Sequence, residues 1–156
     1  MEVALEQAVR SVLIPLHDTQ LILPNAAVAE IVLYREPDAL DAVPDWFMGT
    51  MQWRVYNIPV ISLELLRGGQ PPEIRSRSRI AVCNTISGRG TLDYLGILTA
   101  DIPRLIRIDA DSLNVGSGLE ESNPGVLRHV EIYGDEALIP DLDGLEMMLA
   151  PHLPQA

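Results

Sequence analysis

Lysine is absent from this chain, and cysteine and phenylalanine occur once each and tryptophan twice in 156 residues. All 11 basic residues are therefore arginines, set against 22 acidic ones for a formal net charge of -11. A protein that binds nucleic acid draws much of its affinity from neutralising phosphates, so this balance argues against a nucleic-acid partner. The lone Cys83 excludes an intramolecular disulfide and a thiolate zinc site within one chain. A cytoplasmic location fits that cysteine usage best. No window approaches the roughly 20 apolar residues of a membrane span, so no direct membrane insertion is expected. The opening residues Met1 to Arg10 also lack the basic-then-apolar order of a secretory signal.

Chemistry-bearing groups are equally sparse. His17, His129 and His152 are scattered, with no spacing that puts two imidazoles on one metal, so no metal site is expected. No Gly-x-Ser-x-Gly elbow occurs, and no residue set supplies a nucleophile with an activating base. The expectation is a protein with no catalytic residues and no cofactor. Asp109 and Asp111 do not extend to a calcium-loop ligand series, and Asp141-Leu-Asp-Gly144 reads as the N-cap and first turn of a helix. Gly116-Ser-Gly118 lacks the lysine of a phosphate loop and reads as a turn. Cys83 lies in an apolar strand, where a buried, inert thiol is expected.

What the chain does have is a 47% hydrophobic, 21% charged composition at the length of one folded domain. Short β-branched runs recur between Pro, Gly, Asn and Asp, which makes the class mainly β. About ten strands are expected, near 11–16, 20–23, 28–34, 48–53, 58–63, 79–84, 92–99, 105–108, 126–132 and 137–139. His17 to Thr19 and Ser87 to Gly90 read as hairpin turns, and Pro24 to Ala27 as one helical turn capped by Asn25. Leu142 to Leu149 carries Leu142, Leu145, Met148 and Leu149 at helical spacing and should close the fold. Irregular connections are expected over 35–45, 68–78 and 109–125.

The most informative stretch is Val43 to Leu63. Two apolar strands are joined there through Arg54-Val-Tyr-Asn57, with Asn57 the residue most tolerant of unusual backbone angles. Arg54 follows Trp53 at the corner, where a guanidinium either forks onto a carboxylate or braces the turn with its stem on the tryptophan. Trp53, Tyr56 and Phe47 are the aromatic candidates for anchoring a partner, although core packing is the commoner fate of Phe47. Arg67, Arg75, Arg77 and Arg79 read either as a solvated loop or as a dock for an acidic surface.

The order of these elements resembles that of the CheW-like domains, adaptors of bacterial chemosensory arrays. The matching runs are Val28-Ala-Glu-Ile31, Val43-Pro with Trp46-Phe-Met-Gly49, Trp53-Arg54 followed by Ile58-Pro-Val-Ile-Ser-Leu63, Ile80-Ala-Val-Cys-Asn84, Leu95-Gly-Ile-Leu98 and Ala137 to Asp143. The resemblance implies a single domain over residues 9–150, with terminal extensions 1–8 and 151–156. It implies two packed five-stranded SH3-like barrels, a short C-terminal helix and no active site. It also implies a scaffold that couples chemoreceptors or other signalling proteins to a CheA-like histidine kinase, with Val28, Glu30, Gly49 and Arg54 at family contact positions. Trp53 and Tyr56 join them as partner-binding candidates. Val55, Ser62 and Ala100 depart from the family's usual glycine, aspartate and aspartate, and this divergence resembles an accessory adaptor of pilus-linked twitching motility. The competing reading is a small-ligand sensor that binds a metabolite between the barrels.

Overall fold

A computed structural model describes residues 9–85, 92–109, 113–115 and 125–153. The alternation of short apolar runs with turn residues folds into eleven strands among the described residues. They are β1 (Val9–Pro15), β2 (Gln20–Pro24), β3 (Val28–Leu33), β4 (Phe47–Trp53), β5 (Tyr56–Ile61), β6 (Arg79–Asn84), β7 (Tyr94–Thr99), β8 (Arg104–Ile108), β9 (Leu113–Val115), β10 (Val126–Ile132) and β11 (Asp135–Pro140). Two α-helices, α1 (Leu63–Leu66) and α2 (Leu142–Leu149), and 3-10 turns at Asn25–Ala27 and Ala150–His152 complete the set. One sheet runs β8-β1-β2-β11-β10-β9 and the other β3-β6-β7-β5-β4. The chain thus begins in the first sheet, builds the whole second sheet, and returns.

Each sheet contributes apolar side chains on both faces, which divides them into three clusters. Leu13, Ile22, Ile108, Val130, Ile132 and Ala137 fill the inside of the six-stranded sheet. Met51, Trp53, Ile58, Val60, Ile80 and Val82 fill the inside of the five-stranded sheet. Between the sheets lies a shared cluster that includes Val12, Ile14, Leu21, Phe47, Ile61, Ala81, Ile97 and the helix residues Leu63, Leu142, Leu145 and Leu149. The expected mainly β architecture with a closing C-terminal helix is what the chain adopts. Strand pairing in each sheet is an open series, compatible with small SH3-like barrels whose hydrogen-bonded ring is not complete.

Local differences from the sequence reading have local causes. β9 lies within a stretch expected to be irregular and pairs with Val130 to Ile132. α1 is a single turn begun by Ser62, whose hydroxyl accepts from the Leu65 N–H at 3.2 Å. The turn at 25–27 has Pro24 at its cap with no side-chain hydrogen bond, so Asn25 is its first residue and not its cap. The β4–β5 turn is Arg54-Val55, and Asn57 is already in the β5 ladder opposite Gln52. Arg54 itself takes the positive φ, at 54°, and Val55 does not. The β1–β2 turn forms at His17 to Thr19 as expected, closed by Leu16 N–H to Thr19 C=O at 2.8 Å. The expected turn at Ser87 to Gly90 and the motif at Gly116 to Gly118 lie outside the described residues.

Two β-bulges decide which side chains enter which core. In β3 the register shifts between Val28, opposite Cys83, and Glu30, opposite Val82. In β4 it shifts between Phe47, opposite Ile61, and Gly49, opposite Val60. Residues two apart on a strand normally share a face, and a bulge reverses that. Val28 and Phe47 therefore face the shared core, whereas Met51 and Trp53 point inside the five-stranded sheet.

The β4 bulge depends on Gly49. Its φ is 138°, and a Cβ there would lie 2.2 Å from the Asp38 carbonyl oxygen. That close approach lets Asp38 exchange backbone hydrogen bonds with Thr50, at 2.7 and 3.0 Å. Thr50 thereby directs its backbone away from β5, where it faces Pro59, a residue with no N–H to give. Gly49→Ala is expected to lower stability by about 2 kcal/mol or more, through forced displacement of Asp38 and an unfavourable φ. Chemical denaturation measures it, and an unchanged midpoint would refute the close approach.

Candidate interaction surface at the sheet seam

β3 and β4 are the two end strands of the five-stranded sheet, and a groove of about 560 Å³ lies between them, lined by residues 30–35 at and just after β3 and 51–54 at and just after the end of β4. Side chains hold this seam where backbone pairing does not. The Glu30 Oε1 accepts from Trp53 Nε1 at 3.0 Å and from Arg54 Nη2 at 3.3 Å. The Arg54 guanidinium carbon sits 4.6 Å from the Trp53 ring centroid. Further along, Arg35 Nη2 donates to the Gln52 carbonyl, also across the gap. Arg54 thus pairs with a carboxylate and sets its guanidinium, not the stem, over the tryptophan ring.

An aromatic cluster caps the same end of the sheet. Trp53 lies 6.0 Å from Tyr56 in a near-parallel arrangement and 4.7 Å from Tyr94 edge-on, and the two tyrosines are 4.8 Å apart. Trp53 is buried, so it supports the surface, while Arg54 and Glu30 keep 64% and 43% of their side chains exposed. Val55 at the turn is 86% exposed.

Of the residues singled out from sequence, Glu30, Trp53, Arg54 and Tyr56 are brought together. Val28 starts β3, half-buried against the shared core, and Gly49 is buried beneath Asp38. Phe47 is core, at 2% exposure. Tyr94, Arg35 and Asp38 belong to the assembly without a sequence signal that marks them. The arginine loop is internally satisfied: Arg75 pairs with Glu73 at 2.5 Å, Arg77 with Asp101 at 2.7 Å, and Arg79 donates to the Ser76 and Ser78 carbonyls. The backbone N–H of Ile102 and then the Arg77 guanidinium hold the Asp101 carboxyl below its usual range. Arg67 lies 3.8 Å from Asp18.

A model of the CheW-like domain matches residues 10–148. The chain belongs to the CheW-like domain family. Among solved structures it is similar to the scaffolding protein TtCheW from Thermoanaerobacter tengcongensis, with a TM-score of 0.72 and 19% identity over 86% of this chain and 84% of that one. No curated protein sequence matches at a significant level.

Two of the positions that depart from the family pattern sit beside local side-chain-to-backbone hydrogen bonds. Ser62 caps α1 and also donates to Glu64 at 3.3 Å. Beside Ala100, Asp101 accepts from the Ile102 N–H at 2.6 Å. Glu64 in turn accepts the His17 N–H at 2.9 Å, tying α1 to the β1–β2 turn of the other sheet. At the third departure, Val55 is spared a positive φ because Arg54 adopts it.

Trp53→Phe is expected to cost about 2 kcal/mol, since it strips the charged acceptor Glu30 of an indole donor in a packed site. A loss below about 0.5 kcal/mol in urea denaturation would show that the seam holds without that bond. Burial pushes the Cys83 thiol up to about 12. An unfolded thiol ionises near 8.5, so the native state keeps the proton longer than the unfolded one. This contribution to stability is complete below about pH 8.5 and declines as pH rises toward 12. Cys83→Ala should flatten that alkaline decline, as measured by thermal midpoints between pH 7 and pH 10.

Proposed function

We propose that this CheW-like domain is a non-catalytic adaptor of a chemosensory assembly, coupling receptor-like proteins to a CheA-like histidine kinase, with pilus-linked motility as its output. The observation that carries this reading is the seam itself. Glu30, Trp53 and Arg54 are locked together by shared hydrogen bonds, yet present a guanidinium, a carboxylate and an exposed Val55 to solvent. Rigid side chains already fixed in the free protein lose little entropy on docking, the condition for a strong contact from a small patch. The similarity to TtCheW, described as a scaffolding protein, supports the same reading. Val28 and Gly49 contribute by setting the two bulges that aim this cluster, while Tyr56 buttresses Trp53.

The metabolite-sensor alternative draws no support from the region between the sheets, which aliphatic side chains of both sheets occupy. A ligand site there would need a cavity with converging polar groups.

The deciding variant is Arg54→Glu. An exposed ion pair contributes about 0–1 kcal/mol, so the thermal midpoint should move by only a few degrees. Affinity for the kinase partner, identified by capture from the native cell extract, should fall more than tenfold, or over about 1.4 kcal/mol. Unchanged affinity by isothermal titration would remove Arg54 from the interface. Unfolding of the variant would assign it to the turn alone.

A further inference from the structure

Of the ten described guanidinium groups in this -11 chain, six are held by a carboxylate or a backbone carbonyl, which makes the other four informative. Arg54, Arg67, Arg75 and Arg77 are ion-paired, and Arg35 and Arg79 donate to backbone carbonyls. Among the described residues, Arg10, Arg104, Arg107 and Arg128 have neither kind of partner, and all four lie in the six-stranded sheet. Two of them are directly opposed. In the β1–β8 ladder Arg10 faces Arg107, and Val12 faces Leu105. Opposed residues of an antiparallel pair point to the same side with Cβ atoms about 5 Å apart, where like charges are destabilising. Both arginines are exposed, and among the described residues no carboxylate pairs with either.

The same face carries an apolar contact. Leu105 is 66% exposed beside the buried Val12, on the side of the sheet that forms the shared core. β8 is the end strand of its sheet, and the Tyr133 hydroxyl donates to the Arg107 carbonyl at 3.1 Å, fixing the strand from its far side. The strand edge therefore offers two adjacent guanidiniums and a leucine in a fixed arrangement.

We propose that Arg10, Arg107 and Leu105 form a docking site for an acidic segment of a partner protein, in which a carboxylate bridges the two guanidiniums and a neighbouring apolar side chain covers Leu105. One carboxylate has acceptor sites for two guanidiniums, and charge-assisted bonds of this kind are the stronger class. Docking would relieve a repulsion that the free protein carries, so the cost in the unbound state becomes differential affinity in the bound one. The site is separate from the Arg54 seam and does not rest on the adaptor reading.

The test uses the full chain and a fluorescein-labelled peptide of alternating Glu and Leu, read by anisotropy at low and moderate salt and by amide chemical-shift mapping. Binding should shift residues around Arg10, Leu105 and Arg107 and weaken as salt rises. Arg107→Glu should reduce affinity at least tenfold and simultaneously raise the thermal midpoint, because it turns a repulsive cross-strand pair into an attractive one. A purely structural role would not produce that opposite movement. Arg54→Glu should leave peptide binding unchanged, which separates this site from the seam. The proposal is overturned if Arg107→Glu binds the peptide as the parent does, if its midpoint falls, or if the shifts centre on another arginine. Equal binding to vesicles of anionic lipid, lost in the same variant, would also overturn it by making the patch a membrane contact.

Discussion

A single carboxylate oxygen organises one end of the five-stranded sheet. Glu30 Oε1 receives the Trp53 indole and the Arg54 guanidinium from the opposite end strand, where no backbone ladder joins the two. A buried indole N–H needs an acceptor, and the half-exposed Glu30 carboxylate at the rim supplies one. Without that exchange the tryptophan ring could not remain at 5% exposure with its polar edge at the rim. The stacking of Tyr56 and Tyr94 on that ring follows from its placement.

Arg54 contributes to this arrangement differently. Its left-handed backbone costs about 1–2 kcal/mol for an L-residue. Its cation–π contact returns about 0.5–1 kcal/mol at an exposed site, and its ion pair about 0–1 kcal/mol. These terms nearly cancel, so stability alone gives little reason for an arginine at this turn. What the position does provide is a guanidinium held rigidly in solvent, a property useful for recognition and of little use to folding. Glycine at the same place would relieve the backbone at no loss of fold, which makes the chemistry of the side chain the meaningful quantity.

Much of the architecture was legible because it follows from period and punctuation. The strands at Arg79 to Asn84 and Val126 to Ile132 and the helix at Leu142 to Leu149 fall where the apolar pattern put them. The bulges were not legible, because they are defined by partners rather than by the strand that carries them. Val28 and Glu30 are two apart and would share a face on any local reading; only their registers against Cys83 and Val82 separate them. The same holds for Gly49, whose need for a bare backbone comes from Asp38, eleven positions earlier in a stretch read as irregular. β9 and α1 escaped notice for a simpler reason, since a three-residue strand and a four-residue helix are too short to show a period. At the site, Trp53 and Arg54 were visible as neighbours in sequence, but their meeting with Glu30 is a long-range contact that the seam creates.

The distribution of arginines extends this point from one turn to the whole surface. With twice as many acidic as basic residues, a guanidinium that folds near a loop meets a carboxylate almost by default, as Arg75 and Arg77 do. Such pairs are exposed and say little about function. A ladder position is less forgiving: register fixes both the neighbour and the face, and Arg10 has been given Arg107 as its neighbour by the same hydrogen bonds that place Val12 in the core. Shifting the register by one residue would separate the arginines but would also expose Val12 and turn Leu13 out of its cluster. The core therefore enforces the juxtaposition of the two arginines.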